Sequence, residues 1–576
     1  MPVIQPVVDL IDILVQHGLS HAVIAPGSRS AALTLALARH PNVQTIVSID
    51  ERTAGYLALG LAHQLQRPVA VVCTSGTAAL NLAPAVAEAY FSQIPLLMLT
   101  ADRPAEWIHQ QDGQTIYQRD LYGKHVKKAW ELPTDTTHPD VQWHVNRLAN
   151  EAYLTAIVQP MGPVHLNVPI REPFYPSENE KFSPNTQNRL IVDLKAETTL
   201  STADWHALQD AWEDSDKILI AAGQNDYNEA LVQCLIRITE EWEIPVFGDV
   251  TANLGNHPDF ISMLDITLQP ERFEKLRPDL LVTYGQSFLS KKFRNFIREF
   301  PPRAHWHIGA SNHLIDSLQS LTLRIPVEPA FFFKKMLEDI DFKCFVENRE
   351  IADSTYKTEW LNADWLAARI VNEQISANLT SLDDLTSVKE LVFKLPEEVL
   401  VHLGNSMPVR YANLLRRLGL KQKVWANRGT SGIDGCVSTA IGAALASESP
   451  VYLIVGDVSF LYDRNGFLLA DFPQNLKIMI LNNGGGNIFR IIDGPNRQPE
   501  LETFFETKHT FTARATASDA GLAYWEVRNR DQLPMVMDEF IAHEGAAILE
   551  VYTDPNVNKK ILLEIQKAFR VQNRAN

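Results

Sequence analysis

Cysteine is scarce in this chain. Four residues, Cys73, Cys234, Cys344 and Cys436, lie far apart among 576 and form no C-x-x-C pair. That argues against a disulfide framework or a zinc site and fits a reducing compartment. Positive charge is also short: 52 basic residues face 69 acidic ones, a net charge of −17. A nucleic-acid backbone is therefore not the expected partner. No lysine or arginine precedes Arg29, so the charged start of a signal peptide is missing. No apolar run approaches the roughly 20 residues that cross a bilayer. The expectation is a cytoplasmic protein with no integral membrane segment. Any anionic substrate must then be met by arginines and lysines gathered locally against the overall field.

What is present is ordinary globular material, 45% hydrophobic and 21% charged. At 576 residues a single core stops growing, so two to four domains are expected. Short β-rich runs ending in turn residues alternate with helical stretches, the pattern of α/β layers on parallel sheets. The first block offers strands at HAVIAPG from His21, TIVSID from Thr45, VAVVCTSG from Val69, LLMLTADRP from Leu96 and HLNVP from His165, with helices over Ala31 to Arg39 and Glu51 to Gln64. The polar stretch from Pro173 to Asn188 reads as a linker. A second block offers KILIAAGQ from Lys217, IPVFGDV from Ile244, DLLVTYGQ from Asp279 and AHWHIGA from Ala304. Another polar stretch, Glu347 to Thr358, precedes a third block with EVLVHLGNS from Glu398, KVWANRG from Lys423, VYLIVGD from Val451, KIMILNN from Lys477 and AILEVYTD from Ala547. Nearly all these runs end in glycine, asparagine, serine or aspartate, at the sheet edge where open α/β folds bind ligands.

The most informative segment runs from Val451 to Phe489. Two buried strands end in Gly456-Asp457 and Asn482-Asn483, with a crossover between them, and Asp457 and Asn483 stand 26 positions apart. In a right-handed βαβ unit both polar tips meet at one sheet edge. Asp457, Asn483 and the carbonyl of Gly485 are hard oxygen donors of the kind magnesium takes alongside substrate phosphates. The glycines at 484 to 486 let the backbone approach closely, and amides at a helix start near Ser459 face phosphates well. Either pair alone reads as ordinary turn residues. Together, at this spacing, they resemble the magnesium–thiamine diphosphate motif.

Enzymes with that cofactor need a carboxylate against its aminopyrimidine ring, in an apolar pocket after a strand. Glu51 fits, because TIVSIDE ends a strand and a helix opens at once. On its own it reads as a first-turn acid facing the helix dipole. VAVVCTSGTAALN, with Gly76 and Thr77, resembles the segment that lines the pyrimidine pocket. The resemblance implies three doubly wound parallel-sheet α/β domains of the thiamine diphosphate-dependent enzyme type: 1–185 pyrimidine-binding, 186–350 a middle, transhydrogenase-III-like domain, and 351–576 diphosphate-binding. It also implies active sites at a subunit interface, in a homodimer or homotetramer.

APGSRSAALTLALA from Ala25, LTADRP from Leu99, GQTIYQ from Gly113, GNSMPVR from Gly404, NRGTSGIDG from Asn427 and GDVSFLYDRNG from Gly456 together resemble the SEPHCHC synthases of menaquinone biosynthesis. The middle block resembles them more loosely, through SFLSKKF from Ser287. This implies a transferase that decarboxylates 2-oxoglutarate on thiamine diphosphate, with magnesium or manganese, and adds the succinyl carbanion equivalent to isochorismate in a Stetter-like conjugate addition. The resemblance gives catalytic roles to Glu51, Arg29, Gln114, Ser406, Arg410 and Arg428. Substrate contacts are added by Ser28, Arg103, Lys291, Lys292, Ile488 and Phe489. The cofactor set is Glu51, Gly76, Thr77, Ser406, Ile433 (the apolar prop), Gly456, Asp457, Val458, Ser459, Asn483, Gly485, Asn487 and Ile488, with Asp457, Asn483 and Gly485 on the metal.

Arginines suit two dicarboxylate substrates because each grips a carboxylate with two parallel hydrogen bonds. Each basic residue taken singly also reads as a solvated surface charge, and KKFRNF from Lys291 as the basic face of a surface helix. Ala32 stands where many relatives have proline, a local backbone matter; Gly113 and Gly484 stand where some have asparagine and Lys292 where some have arginine, which touches substrate contacts and not the metal or relay positions. Three other readings stand beside this one: another thiamine-dependent carboligase such as an acetolactate synthase, a catalytically silent binding protein on the same fold, and an oxidoreductase with a flavin or nicotinamide in the middle block. KILIAAGQ lacks the full G-x-G-x-x-G of the last.

Overall fold

Strands such as Val69–Cys73 and Leu280–Tyr284 are buried at every position, as strands covered by helices on both faces must be. The computed structural model describes residues 4–575 other than 173–174, 177–181, 195, 197, 312, 340–353, 379 and 416–421. It holds three six-stranded sheets, and every strand pair in them is parallel.

The first sheet runs, edge to edge, Gln44–Val47, His21–Ile24, Val69–Cys73, Leu96–Asp102, Val164–Pro169 and Ala129–Glu131, so its strands lie in the order 2-1-3-4-6-5. The third has the same order, with Lys423–Trp425, Leu400–Leu403, Val451–Gly456, Leu476–Asn482, Ala547–Tyr552 and Ala523–Val527. The middle sheet differs. Its strands Phe260–Ile261, Val246–Gly248, Ile218–Ala222, Leu280–Tyr284, Ala304–Ile308 and Leu323–Ile325 follow the order 3-2-1-4-5-6 of dinucleotide-binding folds. The expected α/β architecture of three parallel-sheet units is therefore present. The strands absent from the sequence reading, at 129–131, 260–261, 323–325 and 523–527, all lie at sheet edges. An edge strand pairs on one side only, so a short or half-exposed run suffices.

Two expectations are corrected. The polar stretch Glu347 to Thr358 lies outside the described residues as far as 353, but from Ser354 the chain is helical to Ala377. Tyr356 and Trp360 on that helix are buried, and Trp360 meets the Phe296 ring. The crossover after Asp457, expected to be one helix in length, is instead the helix Asp457–Tyr462 followed by a 3-10 turn over Arg464–Phe467. The first linker keeps irregular structure where it is described; Pro173 and residues 177–181, like Cys344, lie outside.

The first and third units meet through helices in equivalent topological positions, each following its sheet's second strand in the chain. Helix Glu51–Leu65 begins where Asp50 accepts the Arg52 and Thr53 amides at 2.9 and 3.3 Å, satisfying donors with no intrahelical partner. Its Gly60 lies so close to helix Cys436–Leu445 that a Cβ would stand 2.0 Å from the Thr439 carbonyl oxygen; at Gly442 a Cβ would stand 2.1 Å from that of Leu57. Each glycine thus meets the residue three before the other.

Candidate active site

Parallel register pairs Gly456 with Leu481, so Asp457 and Asn482-Asn483 leave adjacent strands at the same sheet edge. Asp457 is buried, and its carboxylate accepts the amides of Val458 at 2.7 Å, Gly484 at 2.8 Å and Gly485 at 2.9 Å. The two asparagines have different tasks. Asn482 donates to Glu550 at 2.6 Å and to the Phe511 carbonyl at 3.1 Å, which ties two structural segments together. Asn483 donates to Asp384 Oδ2 at 3.0 Å, and its Oδ1 is buried with no partner. Gly484 and Gly485 have φ of +77° and +154°, and a Cβ at Gly485 would stand 2.4 Å from the Glu506 carbonyl oxygen, so only glycine fits. Ser459 donates to the Ile433 carbonyl at 2.7 Å, which binds Ile433 to this edge. Asn487 is buried with both amide atoms unpartnered; Ile488 and Phe489 are half-buried, and Phe489 packs on Phe505.

At the matching edge of the first sheet, Glu51 opens its helix and accepts from Asn81 at 3.4 Å. It lies near the end of strand Val69–Cys73: burial first, then the Glu51 carboxylate, push the Cys73 thiol up. Val47, Ile49 and Leu80 around it are 57, 66 and 45% exposed. Nearby, Arg103 bonds Asp112 at 2.6 Å, the Ser75 hydroxyl at 2.8 Å and the Gln114 carbonyl at 3.1 Å. Gln114 has a positive φ of 58° and packs its backbone against Gly76. Arg29 is buried; it donates to the Ile170 carbonyl at 2.9 Å and to Glu172 at 3.3 Å, and burial first, then Arg103, lower its affinity for its proton. Ser28 and Thr77 are exposed.

A second basic group stands between the middle and third units. Ser406 holds φ at +74°, a costly conformation for serine, and its carbonyl accepts from Arg410. Arg428 donates to Asn405 Oδ1 at 3.0 Å while its Nε is buried without a partner. Burial first, then Arg410, bring the Arg428 guanidinium down to about 10. Arg294, absent from the sequence reading, belongs to this group, as does Asp249, which burial and then Asp265 push up to about 7. Lys291 and Lys292 open helix Lys291–Glu299; Lys291 is exposed, and Lys292 is half-buried within the influence of Asp265 and Arg570.

The N-terminal TPP binding domain of thiamine pyrophosphate enzymes matches residues 8–121, and the C-terminal TPP binding domain matches 406–551. A 2-succinyl-5-enolpyruvyl-6-hydroxy-3-cyclohexene-1-carboxylate synthase of Cytophaga hutchinsonii is 38% identical over 98% of this chain and 99% of its own. Synthases of the same name from Bacteroides fragilis and Flavobacterium johnsoniae are each 35% identical, over 96 and 97% of this chain and 97 and 98% of theirs. The chain belongs to the SEPHCHC synthase family.

The loops that carry the site residues expected for a SEPHCHC synthase are topological counterparts of one another in the first and third sheets. Glu51 and Arg428 follow the second strand of each sheet, Thr77 and Asp457 the third, and Arg103 and Asn483 the fourth. No hydrogen bond or ion pair among the described residues joins Glu51 to Asp457 or Asn483. In the middle sheet, which has the dinucleotide-binding strand order, the loops after its two central strands bond each other. Gly223 donates to the Tyr284 carbonyl, Gln286 donates to that of Gln224, and a Cβ at Gly223 would stand 2.2 Å from the Gln286 carbonyl oxygen. Besides Arg294, sequence reasoning missed Asp384 and His509. His509 Nε2 stands 3.4 Å from Asp457 Oδ2, and that carboxylate holds the imidazole above its usual range. Nothing local marks either residue.

Proposed function

We propose that this protein carries out the reaction its relatives' name describes: thiamine diphosphate-dependent decarboxylation of 2-oxoglutarate and Stetter-like addition of the succinyl unit to isochorismate, in menaquinone biosynthesis. The grouping of Arg410 and Arg428 beside Ser406, next to the edge that bears Asp457 and Asn483, carries this reading. Two dicarboxylates need paired cations held out of water, where a guanidinium grips most strongly. Pyruvate, with a single carboxylate, would leave the second cation unpaired.

Thiamine diphosphate, when bound, supplies the carbanion chemistry. Its diphosphate would meet the Asp457–Ser459 helix start, and Mg2+, or Mn2+, would be held by Asp457, Asn483 and the Gly485 carbonyl. The donor set fits: a buried Asn483 Oδ1 without a partner is a vacant oxygen ligand. No group of three or more histidines, cysteines or acids among the described residues is placed to hold a metal, so phosphate oxygens and water would complete the shell. Glu51 would hold the proton exchanged with the pyrimidine ring, with Gly76 and Thr77 lining its pocket and Ile433 as the prop. Arg29, Arg103, Ser28 and Gln114 would meet substrate from the first unit; Lys291, Lys292, Ile488 and Phe489 would line the other side.

The apolar rim of Val47, Ile49 and Leu80 around Glu51 suits a second copy of the chain, whose clamp would complete the site; we assign a homodimer or a homotetramer of such dimers. Boundaries near 185 and 350, and a cytoplasmic location, complete the proposal. No described helix is long and apolar enough to cross a membrane. The test is product mass analysis with magnesium, thiamine diphosphate, 2-oxoglutarate and isochorismate. Faster carbon dioxide release from pyruvate than from 2-oxoglutarate would overturn it.

A further inference from the structure

Glu88 lies on helix Ala83–Phe91 of the first unit and is 1% exposed. A buried carboxylate is costly unless hydrogen bonds replace the water it loses. Here four do, and three come from the third unit. Oε1 accepts from the Ser92 hydroxyl at 2.7 Å and the Gly429 amide at 2.8 Å; Oε2 accepts from the Thr430 amide at 2.7 Å and its hydroxyl at 2.6 Å. The approach is close enough that a Cβ on Gly429 would stand 2.7 Å from Ser92 Oγ.

The segment so held, Asn427 to Asp434, carries Arg428 and Ile433 at its two ends. Other anchors hold its flanks: Asn405 donates to the Asn427 and Gly432 carbonyls at 2.7 and 2.6 Å, and Tyr56 donates to Asp434 at 2.9 Å. Glu88 takes both amides immediately after Arg428, and the Ser287 hydroxyl of the middle unit donates to the Arg428 carbonyl at 3.3 Å. These bonds leave Arg428 Nε unpartnered, so the loop is fixed by its backbone while part of the guanidinium stays available.

We propose that Glu88 is a positioning residue that sets, from another domain, the place of the Arg428 guanidinium and thereby the binding of a substrate carboxylate. This rests on the reading of Arg428 as a substrate contact. In Glu88→Gln, an amide NH2 must face converging N–H and O–H donors at one end of the side chain. The loop must then shift, although shape and volume are kept.

The experiment measures KM for 2-oxoglutarate and for isochorismate, kcat and melting temperature in Glu88→Gln, Arg428→Ala and the double variant. The expected result is a rise of about tenfold in KM for the same substrate that Arg428→Ala affects, a smaller change in kcat, and no further rise in the double variant. Thr430→Val, which removes only the hydroxyl donor, should raise the same KM by a few-fold, and serves if Glu88→Gln does not fold. An unchanged KM in a folded Glu88 or Thr430 variant, or effects that multiply in the double variant, overturns the positioning role. If Arg428→Ala leaves both KM values unchanged, the reading of Arg428 fails instead, and the proposal with it.

Discussion

The side-chain amide of Asn483 donates to Asp384 Oδ2 at 3.0 Å, leaving Asn483 Oδ1 buried and unpartnered. An ionised carboxylate only accepts, so Asp384 decides which end of the Asn483 amide is free. Burial pushes Asp384 up to about 6, and bonds from Thr553 and Asn483 oppose the shift. Asp384→Ala removes that control. Outer partners of metal ligands are commonly worth about 10- to 100-fold in metal affinity, so the magnesium concentration for half-saturation should rise by about that much, measured by titration with thiamine diphosphate present. Unchanged magnesium dependence would show that Asn483 needs no such orientation.

Glu51→Gln keeps size and shape and removes the carboxylate proposed to exchange the proton. The expected loss in kcat is about 10²- to 10⁴-fold, with thiamine diphosphate affinity, followed by tryptophan fluorescence, within a few-fold of wild type. Carboligation at the wild-type rate would eliminate the relay.

Replacing a helix-interior glycine by alanine ordinarily stabilises by about 0.5–1 kcal/mol. At Gly60 and Gly442 the sign should reverse, because a Cβ at either would stand only 2.0 or 2.1 Å from a backbone carbonyl oxygen, far inside van der Waals contact. Gly60→Ala and Gly442→Ala should each destabilise by about 1–3 kcal/mol or more, read as a lowered melting temperature. A higher melting temperature in either would show that the helices separate at no cost.

Burial lowers His165 to about 4, well below the ordinary imidazole value of 6.5. Between these values the unfolded chain binds a proton that the native chain does not, so stability falls as pH drops through this window, by up to about 3 kcal/mol. Asp249 and Asp463, each pushed up to about 7, act with the opposite sign: between the ordinary carboxylate range and pH 7 the native state holds the extra proton. The clean measurement is therefore a difference. The melting temperature of wild type should fall more steeply than that of His165→Gln between pH 6.5 and 4; parallel curves would refute the assignment.

The edge that brings Asp457 beside Asn482-Asn483 was legible because each half is local: an apolar strand followed at once by Gly456-Asp457 or Asn482-Asn483. Glu51 was legible for the same reason: TIVSIDE ends a strand and a helix opens at once. What escaped depends on partners far along the chain. Glu88 looks like any acid on an alanine-rich helix until Gly429, 341 positions away, comes to it. Asp384 meets Asn483 across 99 positions, and Arg294 looked like part of a basic surface stripe. The middle block revealed its strands through their apolar runs, but strand order is a property of crossovers and leaves no mark on composition. Edge strands such as Ala129–Glu131 stayed hidden because half of each faces away from the core.

The reciprocal contact of Gly60 and Gly442 is what two identical subunits make across a twofold axis, here enclosed within one polypeptide. Two copies of a single gene product must change together. Two halves of one chain need not: in the proposed function one loop set carries an acid for moving protons and the other a cradle for a metal and a diphosphate, on either side of the same helix contact. Matching sheets in one chain thus place two different loop sets about a single contact in fixed stoichiometry.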